Sequence, residues 1–145
     1  MSRLYLLDTN TISYIVKGTS AASRAQLEAV ESGHVVCVSA VTEAELHYGL
    51  AKRGPSPALQ AAIENLLRML QVLPWGRAEA KTYGRLRAQQ EAAGKTLGNL
   101  DMMIAAHAIT VGATLVTSDR AFLQVPDLVA VVNWATDLIE TNRNR

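Results

Sequence analysis

Apolar residues run without alternation through four short segments: Leu4–Leu7, 35–38, Thr114–Val116 and 129–132. A strand with one face in water alternates, so unbroken runs predict strands covered on both faces, as in a parallel sheet. A fifth, weaker run at Gln71–Leu73 stops at Pro74. Between these segments the spacing changes to that of helices. Leu59, Ala62, Ile63, Leu66, Leu67 and Leu70 recur at i, i+3, i+4 and i+7, and so do Ile104, Ala105, Ala108 and Val111 before Gly112 stops the second pattern. Residues 11–16, 20–31, 41–52 and 77–93 also read as helices, with loops at 54–57 and 94–98. Strand and helix alternate along the whole chain. This predicts one domain over residues 1–145, a three-layer α/β/α sandwich with a mostly parallel central sheet.

Composition narrows the class without changing the fold. Hydrophobic residues at 49% and charged ones at 19% describe a folded soluble domain, and 145 residues suffice for one sizeable core. A net charge of +1 provides no general attraction for a polyanion, so a nucleic acid would have to be held by local basic patches and metal ions. The single cysteine, Cys37, cannot form an intrachain disulfide and sits in an apolar run, as a buried thiol in a reducing compartment would. Leu4–Leu7 is too short for a signal peptide before Asp8 interrupts it, and no run approaches the ~18 apolar residues of a membrane span. The expected location is the cytoplasm.

Ligands of open α/β sheets bind beyond the carboxyl ends of the strands. Asp8 directly follows the first strand, and Asp119 stands just past the strand ending at Val116. Asp101 opens the helix beginning at Asn99, and Glu45 lies in the first turns of the helix that follows Ser39. Each acid also has a structural explanation. Asp8 could cap the helix after it, Asp119 could cap the turn toward Phe122, and Asp101 could favour its helix dipole. Glu45 could complete a capping box with Thr42. Yet all four fall at one edge of the sheet. Two carboxylates ~4 Å apart repel by about 1 kcal/mol in water and about 4 at a dielectric of 20, so such a cluster calls for a cation. Oxygen-only ligands select Mg²⁺ or Mn²⁺, which grip phosphate oxygens and acidify water. The substrate would then be a phosphodiester or phosphate ester.

Other chemistries fit less well. His34, His47 and His107 are too dispersed for a zinc pair, and no CxxC or P-loop is present. His107, among alanines, reads as a packed core histidine, and neither Ser39 nor Ser118 has a histidine beside it in sequence. Arg77, Lys81 and Arg85 share one helix face, and Lys52, Arg53, Lys95 and Arg120 stand at element edges. These are ordinary surface charges or phosphate contacts that position a polyanion without reading its sequence.

At these residues the sequence resembles the PIN-domain family, and within it the VapC-like toxins of bacterial toxin–antitoxin pairs. The resemblance spans essentially the full length. It rests on Leu7-Asp8-Thr9-Asn10, on Ser39 to Thr42 leading into Glu45-Leu46 and Gly49, and on Asp101 through Ala108. It continues through Leu115 to Asp119 with Phe122, Val125-Pro126 and Asn133-Trp134. The resemblance implies a Mg²⁺- or Mn²⁺-dependent endoribonuclease, usually a homodimer, acting on RNA and held inactive by a cognate antitoxin. Asp8, Glu45, Asp101 and Asp119 match the family's acidic quartet, as metal ligands and catalytic groups. Thr9, Asn10, Thr117 and Ser118 would support them. Glu43 lies about 200° around the helix from Glu45, so both cannot face one metal. Two rivals remain: an aspartate-based phosphatase, which wants an acid where Asn10 stands, and a non-catalytic protein-binding module.

Overall fold

The computed structural model describes residues 2–54 and 56–136. The last residues of the expected 1–145 domain and Pro55 of the expected 54–57 loop lie outside that set. Five strands form one sheet: β1 (Leu4–Leu7), β2 (Val35–Ser39), β3 (Gln71–Leu73), β4 (Thr114–Val116) and β5 (Ala130–Val132). Their order is β3-β2-β1-β4-β5 and every pairing is parallel, so the sheet is fully and not just mostly parallel. The helices are α1 (Thr9–Lys17), α2 (Ala21–Glu31), α3 (Ala40–Arg53), α4 (Pro57–Met69), α5 (Arg77–Ala92) and α6 (Asn99–Val111). Element edges differ from the sequence expectation by one or two residues. The short helix 11–16 is longer, because Asp8 caps it from outside.

The unbroken apolar runs have the expected cause. Leu6 pairs beside Cys37 and Leu115, and these three bury into a layer with Leu86, Ile104 and Phe122 on one face. Leu7, Val38 and Val116 take the other face with Ile12, Ile15, Leu66 and Trp134. Both faces of the sheet's centre are therefore dry, and burying each large side chain there contributes roughly 1.5–3 kcal/mol. The run 129–132 is the exception, because β5 lies at the sheet edge, is only half-buried and has Val129 exposed before it. From β1 the chain winds outward through β2 to β3, then returns to place β4 on the other side of β1. The β1–β4 seam is thus the switch point, where the loops leaving neighbouring strands diverge and open a crevice. Gly112 ends α6 in the left-handed conformation (φ 69°), which turns the chain directly into β4.

Candidate active site

Asp8 occupies the crevice at the end of β1. It caps α1, with Oδ1 accepting the Thr11 N–H at 2.8 Å, while Oδ2 accepts the Thr117 hydroxyl. Only 4% of the residue is exposed. Burial raises its carboxyl above the ordinary value, and the charge of Asp119 adds to this against the opposing hydrogen bonds from Thr117 and Thr11. The Thr117 oxygen in turn accepts the Asp119 N–H at 3.0 Å, so one hydroxyl ties the first acid to the last. Asp119 caps the 3₁₀ turn Arg120–Gln124 through Ala121 N–H at 2.9 Å. The capping roles read from sequence for Asp8 and Asp119 are real. They fix where both carboxyls sit, at the carboxyl ends of β1 and β4.

The Thr42–Glu45 capping box is not formed. β2 passes into α3 without a loop, so Ser39 is the cap, accepting the Val41 N–H, and Thr42 is buried inside the helix. Glu45 is freed from capping, and its Oε1 accepts the Thr9 hydroxyl at 2.7 Å. Glu43 turns instead to a separate hollow with His47 and Glu64. Asp101 stands half-buried in the first turn of α6. Its carboxyl is raised first by burial, then by the charges of Asp119, Glu45 and Asp8. The other three acids therefore lie within electrostatic reach of Asp101.

Among the described residues no lysine or arginine pairs with any of the four. Nor do three His, Cys, Asp or Glu side chains converge there into a finished metal cage. The donor set is carboxylate and hydroxyl oxygen only, and its mutual repulsion is uncompensated. It fits a hard divalent cation that keeps several of its own waters. Beside it, a groove opens on Thr9 and Glu45, floored by Leu46, Leu50, Leu59 and Ile63 and edged by Lys17 and Arg53. Arg77, Lys81, Arg85 and Lys95 are exposed and line none of these hollows.

One constellation escaped the sequence. His107 Nδ1 lies 2.8 Å from Ser39 Oγ, and its Nε2 lies 3.6 Å from Glu79 Oε1. Ser39 does have a histidine beside it, brought there from 68 positions away. Serine and histidine are wholly enclosed and the serine oxygen already caps α3, so no substrate reaches this group. It braces the core, in keeping with the packed histidine expected at 107.

The PIN-domain family model matches residues 5–128. Ribonuclease VapC2 of Rickettsia felis is 32% identical over 132 residues, which cover 90% of this chain and 98% of that protein. The tRNA(fMet)-specific endonuclease VapC of Shigella flexneri is 34% identical over 125 residues, covering 86% of this chain and 93% of that one. The crystal structure of VapBC2 from Rickettsia felis bound to a promoter DNA fragment superposes with a TM-score of 0.85 at 31% identity, covering 90% of this chain and 98% of the other.

Proposed function

The chain belongs to the PIN-domain family, and on that premise we propose that it is a metal-dependent endoribonuclease, the toxin of a toxin–antitoxin pair. The observation that carries this reading is the group of four carboxylates at the β1–β4 switch point, without a cationic partner among the described residues. Asp8, Glu45, Asp101 and Asp119 would hold Mg²⁺ or Mn²⁺. The cation would supply Lewis acidity and a water acidic enough to attack phosphorus at neutral pH. The chain's own part is orientation. Thr117 fixes Asp8 against the Asp119 backbone, Thr9 fixes Glu45, and the α1 and α6 termini hold Asp8 and Asp101 at the crevice rim.

The groove between α1, α3 and α4 suits an antitoxin segment. Its apolar floor would seat a helix, and Lys17 and Arg53 favour an acidic one. A cation on that segment could reach Glu45 and block the site. No helix of the described residues is long and apolar enough to cross a membrane. Purified protein should cleave RNA with Mg²⁺ or Mn²⁺, stop in EDTA, and lose cleavage in Asp101→Asn while Glu43→Gln keeps it. Full activity in chelator would overturn the mechanism.

A further inference from the structure

On the other side of the acids from the apolar groove, the carboxyl ends of β4 and β5 enclose a second hollow. Thr117, Ser118, Arg120, Leu123, Val131 and Asn133 line it, and it meets the acidic site at Asp119. Its chemistry differs from that of the groove. Hydroxyls, an amide and a guanidinium face an apolar patch in which Leu123 is 61% exposed. Arg120 is exposed, and among the described residues no ion pair or hydrogen bond engages its guanidinium. Its sequence neighbour Asp119 is already committed to Ala121 and to the acid cluster. A free guanidinium therefore stands beside four carboxylates without being neutralised by them.

A polyanionic strand approaching those carboxylates is repelled, and a net charge of +1 offers no general field to bring it in. It needs a cation at the point of entry. Resting on the endoribonuclease reading above, we infer that this hollow seats one nucleotide of the RNA strand next to the scissile phosphate. Its phosphate lies on Arg120 and the Ser118 hydroxyl, and its base lies against Leu123. Guanidinium suits phosphate because it donates in a planar fork. The groove on the opposite flank also carries Lys17 and Arg53 at its edge, but its floor of Leu46, Leu50, Leu59 and Ile63 is apolar, and it is left to a protein. Arg120 is thus a substrate-positioning residue that grips backbone and carries little sequence information.

The test uses the full chain and a fluorescent single-stranded RNA oligonucleotide. In Arg120→Gln, cleavage should show KM raised about tenfold, the loss of one charge-assisted contact, with kcat nearly unchanged. Arg120→Lys should recover part of the loss. In an Asp101→Asn background, which leaves the RNA intact, adding Arg120→Gln should flatten the salt dependence of binding by about 0.7 in log–log slope. Arg120 is exposed, so thermal melting should not move. If wild type cleaves and Arg120→Gln cleaves and binds equally well, the hollow lies off the RNA path and the nuclease reading stands. If wild type cuts no RNA but binding still depends on Arg120, the hollow stands and the nuclease reading falls. If RNA is neither cut nor bound, both fall. Arg120→Gln that weakens only the association with a co-expressed partner protein would make the hollow a protein surface and overturn the inference.

Discussion

Asp101 and Asp8 share a charge problem but differ in what holds them. Asp8 accepts hydrogen bonds on both oxygens, whereas the Asp101 side chain has no hydrogen-bond partner among the described residues. Without metal, Asp101→Asn should raise the melting temperature. The gain should be at most on the order of 1 kcal/mol, since half-exposed charges are screened. Asp8→Asn should be close to neutral for stability: its oxygen can keep the Thr11 N–H, but its NH₂ group cannot accept the Thr117 hydroxyl, and that loss offsets the relief of charge. Differential scanning fluorimetry in EDTA checks both; a strongly destabilised Asp101→Asn would mean that its charge is compensated. His107 carries a pH dependence of definite sign. Burial lowers its pKa from the ordinary 6.5, against a smaller opposing effect from Glu79. The folded state therefore prefers the neutral ring. Stability is full above pH 6.5 and declines as pH falls and the unfolded chain takes up the proton. The stability gap between wild type and His107→Gln in urea should narrow from pH 7.5 to pH 5.5; a widening gap would reverse the sign. Cys37, whose thiol burial pushes up to about 12, should resist alkylation until the protein unfolds.

At the scale of elements, the passage from β2 into α3 concentrates several functions in Ser39. Its hydroxyl caps the helix that carries Glu45 and meets His107 on the helix that carries Asp101. Ser39→Ala should cost about 2 kcal/mol, from a lost cap and an orphaned ring nitrogen, read as a shifted denaturation midpoint. Periodicity revealed the elements themselves well. Continuous runs such as Leu4–Leu7 marked dry strands, and positions of the acids at strand ends and helix starts marked the crevice. What stayed hidden were couplings over long chain separations. Thr117 to Asp8 spans 109 positions and His107 to Ser39 spans 68, and no local pattern encodes either. The Thr42 capping box was misread because the motif fits the sequence while the helix begins three residues earlier. On α4, Ile63 and Leu66 are buried in the chain's own core, while Leu59 and Leu67 pack against it and stay partly exposed beside exposed Met69. The helix thus keeps apolar surface for the homodimer that the family resemblance implies, and sedimentation at micromolar concentration should show a dimer; a strict monomer would return Leu59 to Leu70 to the intramolecular core alone.

For the whole molecule, a free ribonuclease endangers the cell that makes it, so expression alone should arrest growth and a co-expressed partner filling the α1–α3–α4 groove should relieve the arrest. Asp101→Asn should be harmless yet still bind that partner through the groove. Arrest that persists in Asp101→Asn with RNA uncut would favour the non-catalytic reading. The strand order also governs when danger begins. β1, made first, lies at the centre of the sheet, and one of its two neighbours is β4. The acid at its end is held by Thr117, 109 positions later. At 5–20 residues per second, roughly 5 to 20 s of synthesis separate those two residues. Once Met69 is made, α1, α3 and α4 are complete while the residues up to Thr117, and with them the acidic edge, are still to come. A partner that docks on those three helices could thus engage the toxin during translation, before any competent enzyme exists to be silenced.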